Sequence, residues 1–118
     1  MSIQQLQIQN ITLSAAIDGF VLDCEARQLS QHTIAGYRNT LKKFLAFLGD
    51  IQFHKITRRD IVRFLAAQTG VKAKTLYNYH VSLSALYTWA ISEDIVETNP
   101  MSRIKRPKAE QPDIIPYM

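Results

Sequence analysis

Apolar residues recur at steps of three and four along four stretches of this chain, and that spacing lines them up on one face of an α-helix. The clearest stretch begins after Ser30, a residue type that caps helices, and runs to about Leu48, where Gly49-Asp50 supplies a stop. The apolar face of this second predicted helix consists of Ile34, Tyr37, Leu41, Phe44, Leu45 and Leu48. The opposite face holds only small, polar or basic side chains, namely His32, Ala35, Gly36, Asn39 and Lys43, with Lys42 beside them.

The same spacing predicts a first and a third helix. The first covers about residues 12–27 and is capped by Thr12 or Ser14. Its inward face is expected to hold Leu13, Ile17, Phe20, Val21 and Cys24. The third runs from its cap Thr57 to Gly70. Its inward face is expected to hold Ile61, Phe64 and Leu65.

The fourth predicted helix begins within residues 72–75 and ends near Glu93. Its core face consists of Leu76, Tyr79, Leu83, Leu86, Tyr87 and Ala90. Its outer face consists of Lys74, Asn78, Ala85 and Thr88, with Tyr77 and Val81 beside them. Trp89 falls between the two faces, and we expect it to pack against the chain that follows.

No stretch alternates in the manner of a β-strand, so we predict an all-α fold, a compact bundle of four main helices. After the fourth helix, Asn99-Pro100 disfavours further helix, and later prolines are typical of a linker. We therefore expect a flexible lead over residues 1–11, one helical domain over residues 12–106 and a linker over residues 107–118. A length of 118 residues fits one such domain.

Cysteine content and hydropathy exclude several classes of protein. The single cysteine, Cys24, excludes an intrachain disulfide and a multi-cysteine metal site, and its position predicts a small core residue. No apolar run has the length of a membrane span, and the N-terminus lacks the basic start and apolar block of a secretory signal. These features fit a cytoplasmic protein.

The basic charge is concentrated in one part of the chain. The formal net charge is +4, but residues 27–74 hold ten basic residues and only two acidic ones. A second basic group consists of Arg103, Lys105, Arg106 and Lys108. Such a distribution is typical of proteins with an anionic partner, although solvated helix faces give the same pattern.

We find no pattern of an enzyme active site. The sequence has no glycine-rich phosphate loop, no His-x-x-x-His pair and no serine in a nucleophile elbow. His32, His54 and His80 lie on different segments, and Asp60 is better explained as part of a capping box than as a general base. We expect no catalytic residue, no metal and no cofactor.

Four local patterns occur in a fixed order along the chain. They are LSQHTIAGYR at residues 29–38 with LKKFLAFL at 41–48, ITRRDIVRFL at 56–65, TLYNYHVSLSALYTWA at 75–90, and IVETNP at 95–100 followed by IKRPK at 104–108. Each pattern alone is weak. Together they resemble the N-terminal core-binding domain of the tyrosine recombinase (phage integrase) family, a helical fold called SAM-like, over about residues 12–110.

The resemblance implies binding to duplex DNA as part of site-specific DNA integration or recombination. Proteins of this family are C-shaped clamps, with the core-binding domain as one jaw and a C-terminal catalytic domain, which carries the nucleophilic tyrosine, as the other. We expect this chain to be a fragment without that catalytic domain, and we do not assign Tyr117 as a nucleophile. The expected partners are double-stranded DNA and, in the full-length protein, other recombinase protomers, with no membrane and no small-molecule substrate.

In this family the second and fourth helices face the DNA. The residues expected at the DNA are therefore His32, Thr33, Gly36, Asn39, Lys42, Lys43, Lys72, Lys74, Thr75, Asn78, Lys105 and Arg106. Lysine and arginine supply phosphate contacts, asparagine can pair with adenine in the major groove, and small residues allow close approach. The alternative is that these residues merely solvate exposed faces.

Two other classes of protein remain open. One is a helical protein-interaction module whose basic residues are only surface. The other is a free-standing DNA-binding regulator with a helix-turn-helix, although the connectors at residues 49–56 and 66–73 are long for the short turn of that motif.

Overall fold

Within residues 10–107, which the computed structural model describes, the chain forms four α-helices and no β-strand. The helices are α1 (Leu13–Ala26), α2 (Gln31–Leu48), α3 (Arg58–Ala66) and α4 (Ala73–Ser92), with a 3₁₀ helix at Phe53–Lys55. The predicted all-α bundle of four main helices is confirmed. The predicted lead and linker lie almost wholly outside the described residues, so the division of the chain at residues 12 and 106 stays a prediction.

Side-chain caps fix where the first three helices begin. Thr12, Ser30 and Thr57 each accept a hydrogen bond from a backbone N–H of the following turn, at 3.1 to 3.3 Å. Asp60 completes the predicted capping box by accepting the N–H of Thr57 at 2.9 Å. Each bond satisfies a donor that a helix end leaves open, and such a cap contributes about 1 kcal/mol.

The ends of α2 and α3 differ in how well they were predicted. α2 ends at Leu48, before Gly49, whose φ of +83° is the left-handed conformation that glycine adopts without strain. α3 ends at Ala66 rather than at Gly70, so the predicted end is wrong. The side-chain amide of Gln68 donates a hydrogen bond to the Phe64 carbonyl at 2.9 Å and satisfies an acceptor at the helix end. Gly70 instead has a φ of +81° in the turn that follows.

The core is built around α2 and α4, each of which packs against the other three helices. The predicted core faces are confirmed as buried or half-buried. The largest fully buried side chains in the helices are Leu13, Phe20, Leu41, Phe44, Ile61, Phe64, Leu83, Leu86 and Tyr87. Burying a large apolar side chain contributes about 1.5–3 kcal/mol, so this core determines which sides of α2 and α4 point outward.

Residues outside the helices also belong to the core. Phe53, in the connector between α2 and α3, is 1% exposed, and its ring stacks on Tyr87 with centroids 5.0 Å apart. Ile56 from the same connector and Ile95 and Met101 after α4 are buried as well. The connector at residues 51–56 therefore contributes side chains to the core, in addition to joining α2 to α3.

Trp89 packs against α1, whereas its packing against the chain that follows α4 stays a prediction. Its ring lies 6.0 Å from that of Phe20, measured between centroids. A Cβ atom on Gly19 would come within 2.9 Å of Trp89 Cη2, closer than side chains normally approach. The absence of a side chain at Gly19 thus makes room for the indole on α1.

We predict opposite outcomes for alanine at two helical glycines. Gly36→Ala on α2 places its methyl group in open space and should raise the free energy of unfolding by about 0.5–1 kcal/mol. Gly19→Ala gains the same helix propensity but forces the indole aside, so it should be less stable than Gly36→Ala by about 1–3 kcal/mol. Urea unfolding followed by circular dichroism measures both. Equal stabilities of the two variants would contradict the proposed packing of Trp89.

A second prediction concerns acid stability. The Asp50 carboxylate accepts hydrogen bonds from the backbone N–H of Ser14 at 2.8 Å and from its hydroxyl at 2.7 Å, which lowers the pKa of Asp50. A lowered pKa contributes stability above the unfolded-state value, near 4, that is lost as pH falls through the folded-state value. The native chain should therefore be more stable than Asp50→Asn at neutral pH, and the difference should shrink in acid. A difference that does not change with pH, measured by urea unfolding, would contradict this role.

Candidate nucleic-acid interface

The outer face of α2 carries polar and basic side chains that the fold does not use. His32, Asn39, Lys42 and Lys43 are exposed, and their side chains form no hydrogen bond or ion pair with other residues of the described range. Thr33 is half-buried, and its hydroxyl accepts a hydrogen bond from Ser30 at 2.9 Å. This face is therefore available to a partner.

Gly36 lies in the middle of that face. It is exposed, it is in a regular helical conformation, and a Cβ atom built on it would meet nothing within 4 Å. Glycine inside a helix costs about 0.5–1 kcal/mol relative to alanine, and no packing contact of the described residues offsets this cost. Because Gly36 has no side chain, the surface of α2 between His32 and Asn39 is low, and another molecule can approach the helix backbone closely there.

The N-terminus of α4 differs from those of the other three described helices. Its N-cap residue, Lys72, forms no side-chain cap, whereas Thr12, Ser30 and Thr57 cap the other three α-helices. As in α1 and α2, the first turn of α4 contains no acidic residue. Lys72 and Lys74 are exposed and Thr75 is half-buried. Open N–H groups together with the positive end of the helix dipole favour an anion at this position. Asn78, one turn further along, is also exposed.

The chain after α4, residues 95–107, which we call the C-terminal strap, returns along that helix. Met101 is buried, and the Nε2 atom of the buried His80 lies 3.2 Å from the Ile104 carbonyl. A carbonyl oxygen only accepts, so Nε2 donates in this bond and Nδ1 is left to accept from Ser84 Oγ at 3.4 Å. The strap thereby places the exposed Lys105 and Arg106 beside α4.

Arg106 is held by an aromatic ring rather than by an acid. Its guanidinium carbon lies 5.6 Å from the centroid of the Tyr77 ring, and its Nη1 donates to the Tyr77 hydroxyl at 3.3 Å. Tyr77 precedes Asn78 on α4, so Arg106 lies near the outer face of that helix. Helical spacing predicts Tyr77 beside this face, but it does not encode the contact of Tyr77 with Arg106, which comes from a distant segment.

The start of α2 and the end of α4 lie next to each other in the bundle, with α1 beside them. Thr33 and Tyr37 at the start of α2 line a common groove with Ala85 and Thr88 near the end of α4. Of the residues expected at the DNA, this groove holds only Thr33, and Lys42 lines a different groove together with residues of α1. That the remaining residues of α2 and α4 share one DNA-facing side stays a prediction.

Acidic residues neutralise some of the cations but not those of the two outer faces. Arg27 pairs with Asp23 at 2.9 Å and Arg38 pairs with Glu25 at 3.3 Å. Within residues 10–107, the lysines at positions 42, 43, 72 and 74 form no ion pair. On α3, Arg63 pairs with Asp60 at 3.4 Å, which leaves Arg58 and Arg59 as a competing basic surface.

The cysteine and the remaining two histidines do not form a reactive or metal-binding cluster among the described residues. Cys24 is fully buried, and burial raises the pKa of its thiol, which confirms its prediction as a core residue. His54 is exposed within the 3₁₀ helix and His80 is buried. Within the part of the chain that the structure describes, no group of three His, Cys, Asp or Glu side chains could hold a metal ion. None of the described helices is both long and apolar enough to cross a membrane.

Residues 17–94 match the family described as phage integrase, N-terminal SAM-like domain. The chain is 31% identical over 98 residues to a tyrosine recombinase of Thermosipho africanus, covering 75% of this chain and 34% of that protein. It is 28% identical over 112 residues to tyrosine recombinase XerC of Neisseria meningitidis, covering 87% and 36%.

A solved structure shares the fold. The lambda integrase tetramer bound to a Holliday junction matches with a TM-score of 0.78 and 25% identity, over 87% of this chain and 31% of that chain. The chain thus spans about a third of the length of the relatives that it matches.

Proposed function

Because this chain belongs to the phage integrase N-terminal SAM-like domain family, we propose that residues 12–106 bind duplex DNA, with a preference for sequence, as one jaw of a site-specific tyrosine recombinase. The observation that carries the proposal is the joint outer face of α2 and α4. It combines lysines without acidic partners, a glycine that packing does not require and a helix N-terminus without a side-chain cap.

The relatives support the division of labour that we propose. The chain spans about a third of each of them, and the lambda integrase that it resembles is a tetramer bound to a Holliday junction. We propose that residues 12–106 hold the DNA, that residues 107–118 are a linker, and that strand cleavage depends on residues outside this chain. Other recombinase protomers are then the second class of partner.

Each group on the outer face has a distinct proposed role. Phosphate contacts come from Lys42, Lys43, Lys72 and Lys74, with Lys105 and Arg106 of the C-terminal strap. Base contacts come from Asn39 and Asn78, whose amides can pair with adenine. The flanking polar contacts are His32, Thr33 and Thr75, and Gly36 lets the backbone approach the DNA.

A protein-interaction module is the second candidate, and one observation favours it. Leu22 on α1 is 66% exposed beside a groove lined by Ile17, Val21 and Leu45. A free-standing helix-turn-helix regulator is less well supported, because α3 ends at Ala66 and α4 begins only at Ala73. The short turn of that motif has about three or four residues.

We predict that two lysines of the outer face set the salt dependence of DNA binding. Each phosphate contact contributes roughly −0.9 to the slope of log affinity against log salt concentration, so Lys43→Ala and Lys74→Ala should each reduce the slope by about one unit. Arg59→Ala on α3 removes the same charge from the competing surface and should leave the slope unchanged. Fluorescence anisotropy with a labelled duplex of mixed sequence, about three helical turns long, measures the slopes. If Arg59→Ala lowers the slope and the lysine variants do not, the proposed face is wrong.

A further prediction gives Gly36→Ala opposite effects on stability and on binding. The added methyl group has room in the free domain but would lie between α2 and the DNA. Affinity should fall by about tenfold, or ~1.4 kcal/mol, within the range for one extra methyl group in close packing. The same protein sample should unfold at a higher urea concentration than the native chain. Damage to the fold would lower both the DNA affinity and the urea concentration of unfolding. Unchanged DNA affinity would contradict close approach of the DNA at Gly36.

A further inference from the structure

The contact between Arg106 and Tyr77 joins two segments that are 29 residues apart in sequence. The guanidinium lies over the Tyr77 ring at 5.6 Å from its centroid, and Nη1 donates to the ring hydroxyl at 3.3 Å. Arg106 is exposed and Tyr77 is half-buried on α4, so the ring is the fixed member of the pair and the arginine is the member that it orients.

We propose that Tyr77 is a positioning residue, which holds the guanidinium of Arg106 as a phosphate-binding group next to Lys74. The inference rests on the proposed DNA-binding function and deepens it. Tyr77 and Lys74 are three positions apart on α4, so their side chains are neighbours on the helix surface. The two cations then present one continuous phosphate site at the N-terminal end of α4.

The chemical nature of Tyr77, the residue that contacts Arg106, supports this role. Arg27, Arg38 and Arg63 are each paired with a carboxylate, which fixes the guanidinium and also neutralises it. Arg106 forms no ion pair with another residue of the range 10–107 and is held by a neutral phenol. A neutral aromatic partner restricts the side chain without cancelling its charge, and it occupies only part of the set of five N–H donors.

Restriction matters because a free arginine is mobile. An exposed arginine side chain carries about 2 kcal/mol of rotamer entropy, part of which is lost when it binds a phosphate. The contact with Tyr77 removes some of that freedom in advance and leaves the other guanidinium N–H groups for a bidentate contact with phosphate oxygens.

The C-terminal strap itself is fixed independently of this pair. The buried Met101 and the bond from His80 to the Ile104 carbonyl anchor it to the core. Loss of the Tyr77 ring should therefore free the Arg106 side chain without releasing the strap, which separates a positioning role from a structural one.

The test is a double-mutant cycle on the full 118-residue chain, with a fluorescein-labelled duplex of mixed sequence about three helical turns long. Arg106→Ala should lower the affinity and reduce the salt slope by about one unit. Tyr77→Leu should weaken binding by a similar factor and have no further effect in the Arg106→Ala background. Tyr77→Phe keeps the ring but removes the hydroxyl that accepts from Nη1, so its affinity should lie between those of the native chain and Tyr77→Leu. If Tyr77→Leu has no effect, or weakens binding equally in both backgrounds, the inference is overturned.

Lys74→Ala in the same titration separates this inference from the proposed function. Salt-dependent binding that responds to Lys74→Ala but not to Tyr77→Leu overturns the positioning role alone. No salt-dependent binding by the native chain overturns both.

A second measurement needs no DNA and does not depend on the folding of Tyr77→Leu. In the NMR spectrum of the free native chain, the side-chain protons of Arg106 should be shifted upfield by the ring current of Tyr77. Arg106 proton shifts equal to those of a solvated arginine would overturn the inference.

Discussion

The burial of large apolar side chains between α2 and α4 is the constraint on which the rest of the structure depends. Leu41 and Phe44 from α2 and Leu83 and Leu86 from α4 are fully buried in one cluster, and turning any of them outward would cost about 1.5–3 kcal/mol. This fixes the rotation of both helices about their axes. With that rotation fixed, the small, polar and basic residues on the opposite sides of α2 and α4 face solvent. The core therefore determines which surface we assign to DNA.

The distribution of partners among the cations refines that surface. The acidic residues of α1 neutralise Arg27 and Arg38, and Asp60 neutralises Arg63, whereas the lysines of α2 and α4 keep their charge. The N-terminus of α4 adds open N–H groups near Lys72 and Lys74. Neutral Tyr77 orients Arg106 there without removing its charge. We propose that one side of the bundle combines these unpaired positive charges with the exposed Gly36 and the open helix N-terminus, a combination that suits a phosphate backbone.

Features set by local sequence were predictable, and features set by distant contacts were not. Ser30 and the capping box of Thr57 depend on neighbours within one turn, and the predicted caps are found. The burial of Phe53 depends on Tyr87, and the place of Trp89 depends on Gly19, contacts that helical periodicity does not encode. The candidate site follows the same rule: its lysines and asparagines were evident from two helical wheels. The pairing of Tyr77 with Arg106 could not be predicted from the wheels, because it depends on the C-terminal strap returning along α4.

Mapping the contact surface on the intact fold tests the central claim most directly. Amide NMR spectra of the isotopically labelled chain, recorded during titration with a mixed-sequence duplex, report every backbone position at once. The account predicts that the largest changes occur at Gly36 and Asn39 of α2 and at Lys74 and Asn78 of α4. Changes concentrated at Arg58 and Arg59 of α3, or along the α1 groove beside Leu22, would contradict it.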